Sequence, residues 1–311
     1  MIWALALALA VVAALPVMRE RMRQDVRTLR DTAPGELVPL SQGVTHCRWL
    51  GRTRGPVAVC IHGLTTPSTA WEGLARQLDE TGFRVLVYDL YGRGLSDAPR
   101  ARHTPGFYVR QLQDVLDHYD LTEDLTLIGY SMGGVIATAA AAQEPGRYRQ
   151  VALVAPAGLG MPFSRFQRFV IDWPWIGDWL FHMLWPGRHR AAIDRGQAPE
   201  LVREAQRDAL DRRGFVGAVL SSLRHSLSKP VPRLHRALAE TGLPVLAVWG
   251  NVDPVIPLSG MGQLAQANRE ARQEVVAGAD HGLPFTHPEE LGLALARLMD
   301  EVRVRSSQQD A

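Results

Sequence analysis

Leu125-Thr-Leu-Ile-Gly-Tyr-Ser-Met-Gly-Gly-Val-Ile136 is the stretch that decides how this chain folds. Leu125, Leu127 and Ile128 read as a buried strand, and the small residues of 132–142 read as a helix. Between them stands Gly129-Tyr-Ser-Met-Gly133. A serine in that position sits on a sharp strand-to-helix turn, whose strain flanking glycines tolerate most cheaply. The turn lifts the hydroxyl away from the sheet and toward the helix N-terminus. Serine is a weak nucleophile near neutral pH, so the turn carries chemistry only beside a base and an oxyanion site. The glycine pattern alone occurs by chance; a strand before it and a helix after it make it specific.

Strands and helices alternate outward from this turn. Residues 44–49 and 57–61 read as neighbouring strands around the turn Gly51-Arg-Thr-Arg-Gly55, followed by strands at 84–88, 151–154, 243–249 and 272–276. Residues 68–80 read as a helix capped by Ser68 or Thr69, with Trp71, Leu74, Ala75 and Leu78 at helical spacing. Helical sequence also covers residues 107–119, 132–144, 258–268 and 288–302. This alternation predicts an α/β fold, a mostly parallel sheet with helices on both faces. It breaks between about residues 157 and 239, which are helical in pattern, and these residues are expected to pass over the strand ends as a cap. The core is then expected to comprise residues 37–156 and 240–305.

Ligands of an open parallel sheet bind beyond the carboxyl ends of its strands. The loops following the strands carry His62-Gly63-Leu64, Asp89-Leu-Tyr-Gly-Arg-Gly-Leu-Ser-Asp97, Ser131, Asp253-Pro254 and Asp280-His-Gly282. Serine, then aspartate, then histidine, each just past a strand, is the chain order of one particular nucleophile–acid–base architecture. On these motifs the chain resembles the α/β-hydrolase superfamily, in its capped lipase- and esterase-like branch, over about residues 40–305. An N-terminal anchor on such a body is similar to membrane-bound monoacylglycerol lipases.

In this reading Ser131 attacks an acyl carbon, His281 carries its proton, and Asp253 holds the imidazole in the useful tautomer. The backbone N–H groups of Leu64 and Met132 are the expected oxyanion donors. Each residue has competitors. The loop after strand 151–154, Ala155-Pro-Ala-Gly158, offers no carboxylate, which favours Asp253. His287 reads as a helix-entry residue, and His62 as a shaper of the oxyanion loop. Asp280 is expected to cap a turn or face solvent. The Asp89–Asp97 loop reads as scaffolding, with Arg93 and Asp97 bonded locally. A serine at the elbow excludes relatives that need a carboxylate there, and a proline-peptidase-like activity would need an acidic amine-binding cluster in the cap. On the same triad a carbon–carbon bond hydrolase is the close alternative, Arg188 or Arg190 serving a dioxo acid. A non-catalytic binding protein that kept the fold is the other.

The 311 residues carry a formal net charge of +2, which gives no case for nucleic acid. Cys47 and Cys60 are too few for a disulfide framework, and no metal or cofactor motif is present. Residues 2–18 contain no charge and span roughly 25 Å as a helix. They read as an uncleaved anchor, with a signal peptide or a peripheral amphipathic segment as alternatives. Arg19, Arg21, Arg23, Arg27 and Arg30 follow in the 19–36 connector, so the body is expected in the cytoplasm if the helix is kept, and secreted or periplasmic if it is cleaved. Four of the eight tryptophans lie between residues 173 and 185. Trp173, Trp175, Trp179, Phe181 and Trp185 are expected to pack the cap, to line an acyl pocket, or to touch the bilayer. The implied substrate is a small hydrophobic or lipid-like ester, with no cofactor.

Overall fold

The computed structural model describes the backbone of residues 1–309 and the side chains of residues 1–302. Among the described residues, eight strands form one sheet: β1 Glu36–Leu40, β2 Gly43–Gly51, β3 Val57–Ile61, β4 Arg84–Tyr88, β5 Leu125–Tyr130, β6 Tyr148–Val154, β7 Val245–Gly250 and β8 Arg272–Val276. Their order is β1-β2-β4-β3-β5-β6-β7-β8. β1 and β2 run antiparallel, as do β2 and β4; every pairing from β4 to β8 is parallel.

Two features differ from the sequence expectation. β2 and β3 are not neighbours, because β4 lies between them. All five residues of β3 are buried, and such a strand needs parallel partners on both sides, which β4 and β5 provide. The half-exposed β2 is suited to a place near the edge. The extra strand β1 carries Pro39, a residue that argues against a central strand but is tolerated at a sheet edge, where β1 lies.

Strand alternation divides the core into two layers. Val59, Ile61, Leu86 and Leu127 face one layer; Cys60, Val85, Val87 and Ile128 face the other. The first layer is covered by α3 (Pro105–His118) and α4 (Met132–Gln143), the second by α2 (Glu72–Glu80), the short α11 (Leu283–Thr286) and α12 (Pro288–Gln309). Residues 132–141 of α4 are all buried, as expected of a helix apolar on every side. α2 is preceded by a 3₁₀ turn at Ser68–Trp71. Neither Ser68 nor Thr69 caps it; the Ser68 backbone N–H is instead taken by Asp89 Oδ1 at 3.0 Å.

Between β6 and β7 lie α5 (Arg165–Asp172), α6 (Ile176–Arg195), α7 (Glu200–Asp211), α8 (Phe215–Ser222) and α9 (Pro232–Glu240). Ser164 and Gln167 close a capping box on α5. The excursion is fastened to the loops that follow β3 and β4. Gln206 donates to Thr66 Oγ1 at 2.7 Å, and Arg212 donates to the Gly94 carbonyl at 2.7 Å. α9 packs on α4 and on α10 (Ser259–Ala267).

The N-terminal helix α1 (Ile2–Met22) is long and apolar enough to cross a membrane. Its second half rests on α6: Trp179 Nε1–H donates to the Val12 carbonyl at 2.8 Å. The connector is ordered against the body, with Gln24 bridged to Arg212 and Arg30 paired with Asp97 at 2.8 Å.

Asp89, just past β4, ties this face together. It accepts from His46 Nδ1 at 2.8 Å, from Ser68 N–H, and from Leu95 N–H at 2.9 Å. The other ring nitrogen of His46 donates to the Pro34 carbonyl at 2.7 Å, so both nitrogens act as donors and the ring is an imidazolium. Burial opposes both charges, but the mutual hydrogen bond and attraction win, holding the Asp89 carboxyl well below the usual range and raising His46. We predict that His46→Ala costs about 3–5 kcal/mol, because it strands a buried carboxylate. The Asp89 contribution is present above roughly pH 4 and lost on acidification; the His46 contribution is present below roughly pH 6.5 and lost as pH rises through its elevated folded value. Denaturant unfolding at several pH values should therefore show the largest wild-type advantage between those limits. A difference independent of pH would sink the ion-pair account.

Candidate active site

The β5–α4 turn has the backbone that the glycine pattern predicts. Ser131 has φ 52° and ψ −114°, a region that side chains rarely occupy. Its N–H donates to the Val154 carbonyl at 2.9 Å, and its carbonyl accepts from Ala157 N–H at 3.1 Å. The flanking glycines answer a need for close approach. A Cβ on Gly133 would stand 2.1 Å from the Ile61 carbonyl oxygen, and one on Gly129 would stand 2.4 Å from the Gly133 carbonyl oxygen. The start of α4 is thereby pressed against the end of β3.

Three separate loops bring Ser131, His281 and Asp253 together. His281 Nε2 is 3.1 Å from Ser131 Oγ, and His281 Nδ1 is 2.8 Å from Asp253 Oδ2. The second Asp253 oxygen accepts from Val255 N–H at 2.7 Å and Ile256 N–H at 2.8 Å. The Asp-Pro turn and the histidine contact thus occupy different oxygens of one carboxylate, whose side chain is 1% exposed. Nδ1 is the donor toward Asp253, which leaves Nε2 free to accept the Ser131 proton.

The neighbouring histidines and acids are occupied elsewhere. His62 is buried; its Nε2 accepts from Leu90 N–H at 2.9 Å while Nδ1 donates to the Gly63 carbonyl at 2.8 Å. That fixes a neutral ring, and burial pushes its pKa down to about 4. Asp280 accepts from Gly282 N–H at 2.8 Å in a local turn. His287 contacts Thr286 Oγ1, and its carbonyl accepts from Leu291 N–H in the first turn of α12.

The His62-Gly63-Leu64 loop runs beside the serine, since a Cβ on Gly63 would lie 3.4 Å from Ser131 Cβ. Among the described residues, the backbone N–H groups of Leu64 and Met132 have no acceptor. The Met132 N–H opens a twelve-residue helix, where backbone dipoles favour negative charge.

Two contributors were not read from the sequence. Tyr130, buried between the motif glycines, donates its hydroxyl to the His281 carbonyl at 2.8 Å and so braces the histidine loop. Arg93, expected to bond locally, reaches much further. It donates to the Leu64 carbonyl at 3.0 Å and to Ser222 Oγ of α8 at 3.0 Å, as well as to Tyr91 and Tyr108. It joins the Leu64 loop to the helices above it, and no carboxylate pairs with it among the described residues. Asp97 likewise bonds across the fold, to Arg30 and the Val44 N–H. The motif around Arg93 was visible in the sequence, but its partner on α8 lies far along the chain and left no signal.

The aromatic cluster divides. Phe181 is buried and stacks on Trp185 with centroids 4.9 Å apart, so both pack the helical layer. Trp173 and Trp175 are exposed. Trp175 and Trp179 line a groove against α1, and Ser131, Asp253 and His281 are absent from its walls. The expected acyl pocket is therefore not assembled from these five residues together.

Residues 52–286 match the Hydrolase_4 family model, described as serine aminopeptidase, S33. The chain is similar to human monoglyceride lipase, 26% identical over 253 residues that cover 78% of this chain and 81% of that protein. It is similar also to 2-hydroxymuconate semialdehyde hydrolase of Pseudomonas sp., 27% identical over 233 residues, 73% of this chain and 81% of that one. The crystal structure of a membrane phospholipase A superposes with a TM-score of 0.71 at 22% identity, covering 97% of each chain, a likeness of fold.

We predict that Gly133→Ala destabilises the protein by about 3 kcal/mol, since the new methyl group meets backbone rather than a movable side chain. A thermal midpoint within a degree of the wild type would contradict the close approach.

Proposed function

The chain belongs to the Hydrolase_4 family and is an α/β-hydrolase enzyme; on that premise we propose that it is a serine esterase acting on hydrophobic or lipid-like carboxylic esters. The observation that carries this reading is the unbroken hydrogen-bond path from Ser131 Oγ through His281 to Asp253. In the proposed reaction the Ser131 hydroxyl attacks the ester carbonyl as its proton passes to His281 Nε2. Asp253 stabilises the imidazolium without taking its proton. The N–H groups of Leu64 and Met132 receive the oxyanion, and such donors are worth on the order of 10²–10³ in turnover each. His281 then protonates the leaving alcohol. Water, activated by the same imidazole, releases the acid from the acyl-enzyme.

The similarity to monoglyceride lipase supports an ester substrate with an acyl chain. The similarity to a semialdehyde hydrolase keeps carbon–carbon cleavage in view, but the cap arginines offered for a dioxo acid are engaged. Arg190 Nη2 donates to both carboxylate oxygens of Asp211 at 2.9 and 2.8 Å, and Arg188 lies over the Phe166 ring at 4.6 Å. We further propose that α1 is a retained anchor and that the exposed Trp173 and Trp175 side of the cap meets the bilayer surface. The uncharged run of residues 2–18 and the docking of α1 on α6 support this. The arginines that follow α1 support a cytoplasmic catalytic domain.

A fluorophosphonate probe should label the wild type, and Ser131→Ala should abolish the label and lower kcat by roughly 10⁶-fold. Asp253→Asn should lose about 10⁴-fold with the fold retained. Across an ester series, kcat/KM should rise from acetate to longer chains by about 0.8 kcal/mol for each buried methylene. A folded wild type that takes no label would remove the acyl-enzyme, and a strict preference for acetate or for charged acids would remove the lipid-like substrate.

A further inference from the structure

One large concavity among the described residues lies away from the serine. It is a groove of about 1150 Å³ between α1 and the start of α6, beyond the roughly 300–1,000 Å³ of pockets for drug-sized ligands. Leu9, Val12, Ala13 and Pro16 of α1 form one wall; Trp175 and Trp179 form part of the other. The walls change character along α1. The α1 side is apolar over residues 9–17 and charged over residues 20–27, while Asp178 and His182 of α6 add polar groups to the facing wall. Twelve residues separate Leu9 from Arg21, about 18 Å of helix, close to the ~15 Å of one leaflet's hydrocarbon.

Pairing decides the sign of the charged end. The four carboxylates that line the groove are each matched: Glu20 with Arg23, Asp25 with Arg213, Asp97 with Arg30, and Asp178 with Arg224. Arg21, Arg27 and Arg100 also line it, and among the described residues none of the three faces a carboxylate within ion-pair distance. A groove with an apolar length, a basic end and an uncompensated positive charge has the polarity of an anionic amphiphile. Its apolar wall is continuous with the exposed first half of α1, where Leu5, Leu7 and Leu9 are more than 60% exposed, so with α1 in a bilayer its surroundings at that depth would be acyl chains.

We infer that this groove binds one anionic phospholipid of the bilayer, acyl chains along residues 9–17 of α1 and headgroup phosphate against Arg21, Arg27 and Arg100. The inference rests on α1 entering the membrane. The bound lipid lies between anchor and cap, completing the contact that Trp179 and Val12 begin. It is distinct from substrate, since Ser131 does not line the groove.

The test uses the full chain with Ser131→Ala, so that no lipid is consumed. Native mass spectrometry from detergent micelles, after incubation with phosphatidylglycerol or phosphatidylcholine, counts retained lipid. One phosphatidylglycerol per chain is expected, with phosphatidylcholine retained at least tenfold less. Replacing Arg21, Arg27 and Arg100 together by Ala should bring the two lipids to the same level, a loss of at least tenfold for phosphatidylglycerol. Ala13→Trp, which fills the groove and leaves its charges, should abolish retention of both. Equal retention of the two lipids by the parent chain, or retention indifferent to both variants, overturns the site. Flotation on phosphatidylcholine vesicles reads the anchor separately. A chain that floats yet shows no phosphatidylglycerol preference refutes the groove alone, while a chain that does not float refutes the anchor and the groove with it.

Discussion

The meeting of Gly133 with the Ile61 carbonyl is the contact on which the rest of the site depends. A methyl group there would stand 2.1 Å from that oxygen, so the α4 start can press on β3 only without a side chain. Because it does, the Ser131 turn is fixed beside the His62-Gly63-Leu64 loop, and among the described residues the N–H groups of Leu64 and Met132 are left without an acceptor. The strain of φ 52° at Ser131 is held by the hydrogen bonds of its N–H and carbonyl to the segment 154–157. Burial of α4 along its first ten residues supplies the apolar packing that offsets that strain.

Buried charge organises the adjoining loops in two contrasting ways. Asp89 has a cation, His46, and two backbone donors, so its charge is fully compensated. Arg93 has only neutral acceptors, two of them carbonyls and two of them hydroxyls at close range, and burial lowers its pKa. A guanidinium presents five donors in a fixed fork, which lets one side chain bind the Leu64 loop and α8 at once. The position of the excursion over the sheet is therefore registered against the same loop that borders Ser131.

The N-terminal helix is part of this arrangement rather than a tether. Arg213 donates to the carbonyls of Arg21 and Arg23, Glu20 accepts from Gly214 N–H, and Trp179 holds Val12. For the anchor proposed above, these contacts would fix the height and tilt of the catalytic body above a bilayer.

By itself the sequence determined the strand–turn–helix at Ser131, the parallel α/β architecture, and the loop that carries each of Ser131, Asp253 and His281. These are legible because hydrophobic period and glycine placement act over a few residues. The order of β2, β4 and β3 was not legible, because a short turn between 44–49 and 57–61 is compatible with a hairpin, and only double-sided burial of β3 forces β4 between them. Nor was the edge strand β1, whose proline is harmless only at an edge. The reach of Arg93 to α8, the bracing of His281 by Tyr130, and the division of the tryptophans between a packed layer and a groove were decided by tertiary structure alone. Each depends on which surfaces meet across a hundred residues or more, and neither periodicity nor local propensity records such meetings.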